Sequence, residues 1–454
     1  MSAMKKKTGI HFYINIKNYN EIIVDEENRT GKVTHALHAL DTFFAPIERY
    51  GKREYPGSFF VEKITGSRLH MFVLDDLISA YQVVKGVSAY AYKLSKCINT
   101  EIGKYKTLKN FYLQVGVDYG KFYVFEFTGT DNYSEVTTIG YAANFAAKLQ
   151  ALASTGRIAI SEEIYKVLDD CEKEKYVRVD DSNLKKYEQT CYYTCLLSQI
   201  ESSSYNDEDS LKWAVNYANS LNLQDIDFTG VRKLLSFENL NKQHCKKIEG
   251  IPVFADVRGF TKQFSEDDSN LEEMAAKTQK ILESMYIVSK EHGGVHVQFQ
   301  GDREISLYHN VPGNYDVEYS PKYTCFKDAV LASMRLIDAV KPYQVHIGVG
   351  EHFGTLFATK LGAREEKDNI LLGDTVIMAD RMEDQCAGED QIAITEEVYL
   401  GLKSEDSSLA GIFKRKDEYY VTTLSHQKYL QIISYKQQQS NTAKNNYNGA
   451  WGEG

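Results

Sequence analysis

Two periods of apolar spacing run along this chain, and the change from one to the other marks out its elements. The run IPVFAD (251–256) is almost continuously apolar and reads as a strand. Over 268–291 apolar residues recur at helical spacing, which predicts one long amphipathic helix. Two short runs, 295–299 and 303–308, flank Gln300-Gly301-Asp302 and read as a hairpin. A helix is expected near 325–340, strands near 343–349 and 354–358, a helix over 374–384 and a strand over 391–394. This β-α-β-β-α-β order predicts an α+β, ferredoxin-like core.

The same order occurs twice. FYINIKNYNEI (12–22) resembles VFADVRGFTKQ (253–263), and VEKITGSRLHMFV (61–73) resembles VQFQGDREISLYH (297–309). TTIGYAANFAAKLQ (137–150) resembles ILLGDTVIMADRME (370–383), and STGRIAISEEIYKVL (154–168) resembles AGEDQIAITEEVYLGL (387–402). Four pairs in one order at nearly one offset indicate tandem duplication. The copies are expected over 8–198 and 248–435, joined by a linker at 199–247 with short helices. The polar, glycine-rich tail at 436–454 is expected to be disordered.

Composition narrows the function. With 454 residues, 43% of them hydrophobic, the chain can bury two or three cores. A net charge of −10 argues against a general nucleic-acid binder, though a nucleotide needs only a local group of cations. No apolar run reaches the length of a membrane span, so no membrane insertion is expected. The seven cysteines are scattered, and Cys191 and Cys195 lack histidines at metal-ligand spacing. Thiols in a reducing cytosol, and hence a cytoplasmic location, are the expectation.

Two acids carry the candidate chemistry. Asp256 ends a strand and Asp302 sits in the hairpin turn. Either alone reads as a helix cap or a turn former. On corresponding segments of a repeat, they predict two carboxylates brought together on neighbouring strands, as hard divalent cations require. Two such ions can hold both the attacking and the departing oxygen of a phosphoryl displacement. Gly259 and the start of the next helix could offer N–H groups to phosphate oxygens.

FADVRGFT, QFQGD and LLGDTVIMADRM, in that order, make the second copy resemble a class III nucleotidyl cyclase catalytic domain. The first copy resembles the same domain in degraded form. The resemblance implies two ions, Mg2+ or Mn2+, on Asp256 and Asp302 with Val257. It sets Val257, Arg258, Gly259, Phe260 and Thr261 beside the nucleotide. In this family one partner of a pair supplies the metal aspartates, and the other supplies base-reading residues and a transition-state Asn/Arg pair. The first copy has Asn15 and Ser67 at the aspartate positions but keeps Lys63 and Thr137 at the base-reading positions, with Asn144 and Lys148 for the Asn/Arg pair. Lysine there keeps the charge and loses the planar fork. The second copy has Gln298, Ile370 and Ile377 at the corresponding places, and only Arg381 survives. Each copy lacks what the other retains, so one working site between them is expected.

Lys63 with Thr137 resembles an adenine-reading pair, yet a lysine can equally donate to O2 or N3 of a pyrimidine. Two cyclase copies with little else resemble the bacterial pyrimidine cyclases of antiphage defence (Pycsar). That resemblance implies CTP, then UTP, as substrate and a downstream effector answering the cyclic product. An adenylyl cyclase and a nucleotide-binding pseudoenzyme remain the alternatives. An intramolecular pair makes a monomer sufficient, and a higher oligomer is left open.

Overall fold

The computed structural model describes residues 4–434 apart from 106–107, 130–133, 188, 201–206, 222–226, 230, 232, 242, 261–269, 311–324 and 363–367. Each copy builds a mixed sheet with helices packed against it. In the first, the hairpin Phe59–Thr65/Arg68–Val73 lies at one edge. Lys5–Ile16, Leu113–Thr128, Arg157–Ile160, Cys191–Leu196 and Val177–Asp180 follow in that order, and Ser134–Ile139 pairs with Leu113–Thr128. The second sheet repeats the order with Val295–Gln300, Arg303–His309, His244–Val257, Ile347–Glu351, Gln391–Thr395, Tyr419–Thr422 and Lys414–Lys416.

The period-2 pattern places these strands. Ile10, Phe12, Ile14 and Ile16 are fully buried, while Asn15, from the opposite face, opens toward solvent between the copies. In the helix Leu271–Glu291, Leu271, Met274, Ala275, Thr278, Ile281, Leu282 and Met285 form the buried stripe. The helices lie against the sheets so closely that backbone touches backbone. A Cβ on Gly116 would sit 2.0 Å from the Gln150 nitrogen, and one on Gly350 would sit 2.1 Å from the Glu383 nitrogen. These two contacts occupy matching places in the two copies.

Boundaries differ from the sequence reading in three places. The strand expected near 343–349 starts at Ile347, because Lys341–Tyr343 closes as a 3-10 turn and Gln344 takes a left-handed φ of 55°. The helix expected over 374–384 is regular over Asp374–Arg381 and finishes as a π-turn, Met382–Cys386. The described residues of the 199–247 segment include a 14-residue helix, Asp207–Ser220, and the short strand Asp227–Thr229. Its last residues, from His244, already belong to the central strand of the second sheet. The 436–454 tail lies outside the described residues.

The copies share their cores. The hairpin formed by Gly354–Leu361 and Asp368–Leu372 sends Phe357, Leu361, Ile370 and Leu372 into the first copy's apolar cluster. Tyr123, Phe125, Phe127 and Ile139 of the first copy reciprocate in the second. Phe127 stands edge-on to Phe299, with ring centroids 4.9 Å apart, and to Tyr286 at 5.1 Å. Polar contacts tie the same seam: the Ile64 N–H donates to Asp368 over 2.7 Å and the Asp374 N–H to Glu27 over 2.9 Å. Among the described residues no helix is long and apolar enough to cross a membrane.

Candidate active site

Mutual burial of the two seams leaves two cavities, related as the copies are. One, of about 310 Å³, is lined by Lys63, Arg68, Asn144 and Lys148 from the first copy and Asp256, Asp302 and Arg303 from the second. The other, of about 410 Å³, has Asn15, Ser67, Gln298, Ile370 and Ile377 at the matching positions. Thr65, Arg68 and Gln300 line both, at the waist between them.

Asp256, one residue before the end of its strand, lies directly opposite Arg303, and Asp302 occupies the adjoining turn, where Gly301 takes a φ of 67°. Burial, with the Asp256 charge beside it, pushes the Asp302 carboxyl well above the usual range. Such a pair is under-compensated as it stands. A divalent cation between the two carboxylates would relieve both effects, so the donor set fits the hard ion expected there.

Behind Asp256 lies an ion network that its neighbours in sequence only partly reveal. Arg303 reaches Asp380 at 2.6 Å and Glu383 at 2.5 Å, and lies 3.6 Å from Asp256. Arg258 pairs with Glu383 at 2.6 Å and donates to the Glu383 and Ala387 carbonyls over 2.7 and 2.9 Å. Glu383 is fully buried, and burial raises its carboxyl to about 7 against the pull of Arg303. The sequence reading set Arg258 beside the nucleotide. Its side chain instead turns back over Gly348 to the π-turn, and its N–H is taken by the His346 carbonyl at 2.7 Å. Val257 is buried and paired with Ile347 in the sheet, Gly259 makes the turn at a φ of 67°, and the Phe260 ring lies in the core. Thr261 lies outside the described residues.

The first copy faces these acids with cations and an amide. The side-chain nitrogen of Asn144, on the helix Tyr141–Leu152, is buried at the cavity wall without a hydrogen-bond partner among the described residues. Lys148, one turn further on, lines the same wall. Lys63 is only 2% exposed and donates to the Phe299 carbonyl of the other copy over 2.6 Å. It also pairs with Glu135, which accepts from the Phe299 N–H over 3.1 Å. Burial lowers the Lys63 ammonium to about 8, while Glu62 and Asp368 hold it up. Thr137 shares the strand Ser134–Ile139 with Glu135, but its hydroxyl is buried, without a partner, and outside the cavity lining.

A relay behind Lys63 escaped the sequence reading. His70 Nδ1 pairs with Glu62 over 2.9 Å, and its Nε2 lies 3.0 Å from His11 Nδ1. Burial, then His70, brings His11 down to about 3. Burial would raise Glu62, but His70, Lys63 and His11 bring it to about 2. Tyr13 stacks on His70 at 4.0 Å, so Tyr13, His70 and Glu62 wall the cavity beside Lys63. Only the repeated strand pairing could have pointed to them.

Two mixed sheets meeting at a shared cleft, acids from one side facing amide and ammonium groups from the other, define a paired nucleotide-processing architecture. Residues 5–195 and 243–433 each match the adenylate and guanylate cyclase catalytic domain, and the chain belongs to that family. A class III adenylyl cyclase-like ATP-binding protein from Pseudomonas aeruginosa shares the fold over 95% of this chain and 91% of its own, with a TM-score of 0.71 and 16% identity. The adenylyl cyclase CyaB from the same species aligns with 39% of this chain and 94% of its own at 17% identity and a TM-score of 0.32. The guanylate cyclase domain of RhGC from Catenaria anguillulae, in complex with GTP, aligns with 39% of this chain and 98% of its own at 23% identity and a TM-score of 0.32. No curated protein matches the chain. Family membership carries nucleotidyl cyclase activity of the class III type, a phosphorus–oxygen lyase reaction on a nucleoside triphosphate that uses divalent metal.

Proposed function

We propose that the chain holds one working cyclase site, in the smaller cavity, and that it converts CTP, and secondarily UTP, to the 3′,5′-cyclic monophosphate and pyrophosphate. The observation that carries this is the convergence of Lys63, Asn144 and Lys148 on the Asp256/Asp302 pair in one cavity. The second cavity has Asn15 and Ser67 in place of the acids, and Ser67 donates to Asn15 over 2.7 Å, so neutral groups satisfy each other there.

In the reaction the ribose 3′-oxygen bonds to the α-phosphorus, the bond from that phosphorus to the bridging oxygen breaks, and pyrophosphate leaves. Asp256 and Asp302 would hold Mg2+ or Mn2+, which acidifies the hydroxyl and offsets phosphate charge. Asn144 orients the ribose through its unpartnered amide, and Lys148 meets the charge gathering on the phosphoryl oxygens. Holding nucleophile and phosphorus in line supplies much of the rate.

Lys63 donates to the base. The Tyr13–His70 stack and the Lys63–Glu135 pair stand at that end, and a lysine donates to O2 or N3 of a pyrimidine as readily as to a purine. Together with the likeness to Pycsar cyclases, this supports a role in antiphage defence, with the cyclic product activating a partner effector. Lys63 with Thr137 favours ATP as the second reading. The purified protein with Mn2+ or Mg2+ and each of ATP, GTP, CTP and UTP decides. Cyclic CMP, with less cyclic UMP, is expected. Cyclic AMP alone would overturn the pyrimidine reading, and no product from any of the four would mark a binding protein.

A further inference from the structure

The matching positions of the two copies differ most around one pair of arginines. Arg303 follows the second metal aspartate, and Arg68 follows Ser67 at the same place in the first copy. Arg303 has three carboxylates around it, Asp256, Asp380 and Glu383. At those three positions the first copy has Asn15, Ala147 and Gln150. The amides there satisfy one another: Asn15 and Gln150 both donate to Gln114, over 3.2 and 3.3 Å. The Arg68 side chain is therefore left with no hydrogen bond or ion pair among the described residues. Arg303 repels it, while Asp380, Tyr13 and Asp384 attract it. It stands at the waist, in the wall of the cavity that holds Asn144, Lys148, Asp256 and Asp302.

Arg68 is exposed in the wall of that cavity, beside Arg303, so an anion entering there meets two guanidinium groups. The same cavity holds a lysine at the place where the family uses arginine, a point charge where a planar fork would grip two phosphoryl oxygens. We propose that Arg68 is a further catalytic residue, a guanidinium that engages the triphosphate and stabilises the transferring phosphoryl group in place of the fork that Lys148 lacks. This rests on the cyclase reading above. As the 3′-oxygen bonds to phosphorus and the bond to pyrophosphate breaks, the hydroxyl proton passes to water. The negative charge then spread over the phosphoryl and leaving oxygens is what Arg68 meets.

The test compares wild type, Arg68→Ala, Arg68→Lys and Arg68→Ala with Lys148→Arg, using the nucleotide that wild type turns over best. Arg68→Ala should lower kcat about 100-fold and raise KM up to about tenfold. Arg68→Lys should recover only part of this, and adding Lys148→Arg to Arg68→Ala should restore most of it. A merely structural arginine would not be rescued from a different helix, so failure of that rescue overturns the proposal, as does unchanged kcat in Arg68→Ala. Arg68→Gln, nearer in shape, replaces the alanine variant if that one does not fold. Binding of inorganic triphosphate, measured by calorimetry, is an arm that needs no turnover. Arg68→Ala should weaken it about tenfold, and equal affinity sinks the proposal. Wild type that binds triphosphate but cyclises nothing would refute the cyclase reading and the catalytic role with it, whereas full turnover in Arg68→Ala refutes the role of Arg68 alone.

Discussion

At the scale of single residues, the site works by leaving selected polar groups unsatisfied and pinning others. Lys63 is pinned, by Glu135 and a backbone carbonyl, with its ammonium lowered to about 8 by burial. As pH rises through that value the amine loses its proton, and with it the charge that assists donation to the base. KM for the nucleotide should therefore rise above about pH 8 while kcat changes less, and Lys63→Arg should abolish the rise. A KM flat to pH 9.5 (well past that titration) would show that Lys63 does not contact substrate as an ammonium. The asymmetry between copies is tested by a pair of changes. Asp256→Ala should cost about 1,000-fold in kcat or more, and Gln298→Ala, in the second cavity, less than about twofold. Comparable losses from both would contradict a single site. Asp256 and Asp302 were legible because strand ends and turns have local rules. Glu135 and Glu383 were not, since Glu135 lies 72 residues from Lys63 and Glu383 lies 80 from Arg303.

At the scale of elements, the site depends on how near a helix comes to a sheet. The strand Ile347–Glu351 carries Gly348 where Arg258 crosses it, and a Cβ there would sit 1.8 Å from a guanidinium nitrogen. Gly348→Ala should push Arg258 off the buried Glu383 and lower stability by about 1–3 kcal/mol, read as a lower thermal midpoint. An unchanged midpoint would mean that the Arg258–Glu383 pair is dispensable. Strand and helix identities followed from period alone, and the hairpin around Gly301 was explicit in the sequence. The π-turn Met382–Cys386, which carries Glu383 between two arginines from other elements, was not.

At the scale of the whole molecule, the two copies act as one body, since each places aromatic and aliphatic side chains in the other's core. Phe299→Ala empties the seam beside Phe127 and should cost about 3–5 kcal/mol. Calorimetry should show a single unfolding transition moving down, and two transitions moving apart would mean that the halves unfold separately. Each chain carries both halves of its site, so mixing Asp256→Ala with Asn144→Ala chains should give no activity. Recovery on mixing would show the site to be shared between chains instead.

The duplication, the ferredoxin-like order and the complementary loss of acids in one copy and of amide and cation in the other were determined by the sequence, because each is a property of residue type at a fixed offset. Tertiary structure alone decided that Arg258 turns away from the cleft, that Glu135 holds Lys63 and that the Arg68 side chain pairs with no carboxylate among the described residues. These depend on which side chains from distant segments arrive at the same few ångströms. Burial then sets the strength of each charge by removing water, which no spacing along the chain encodes.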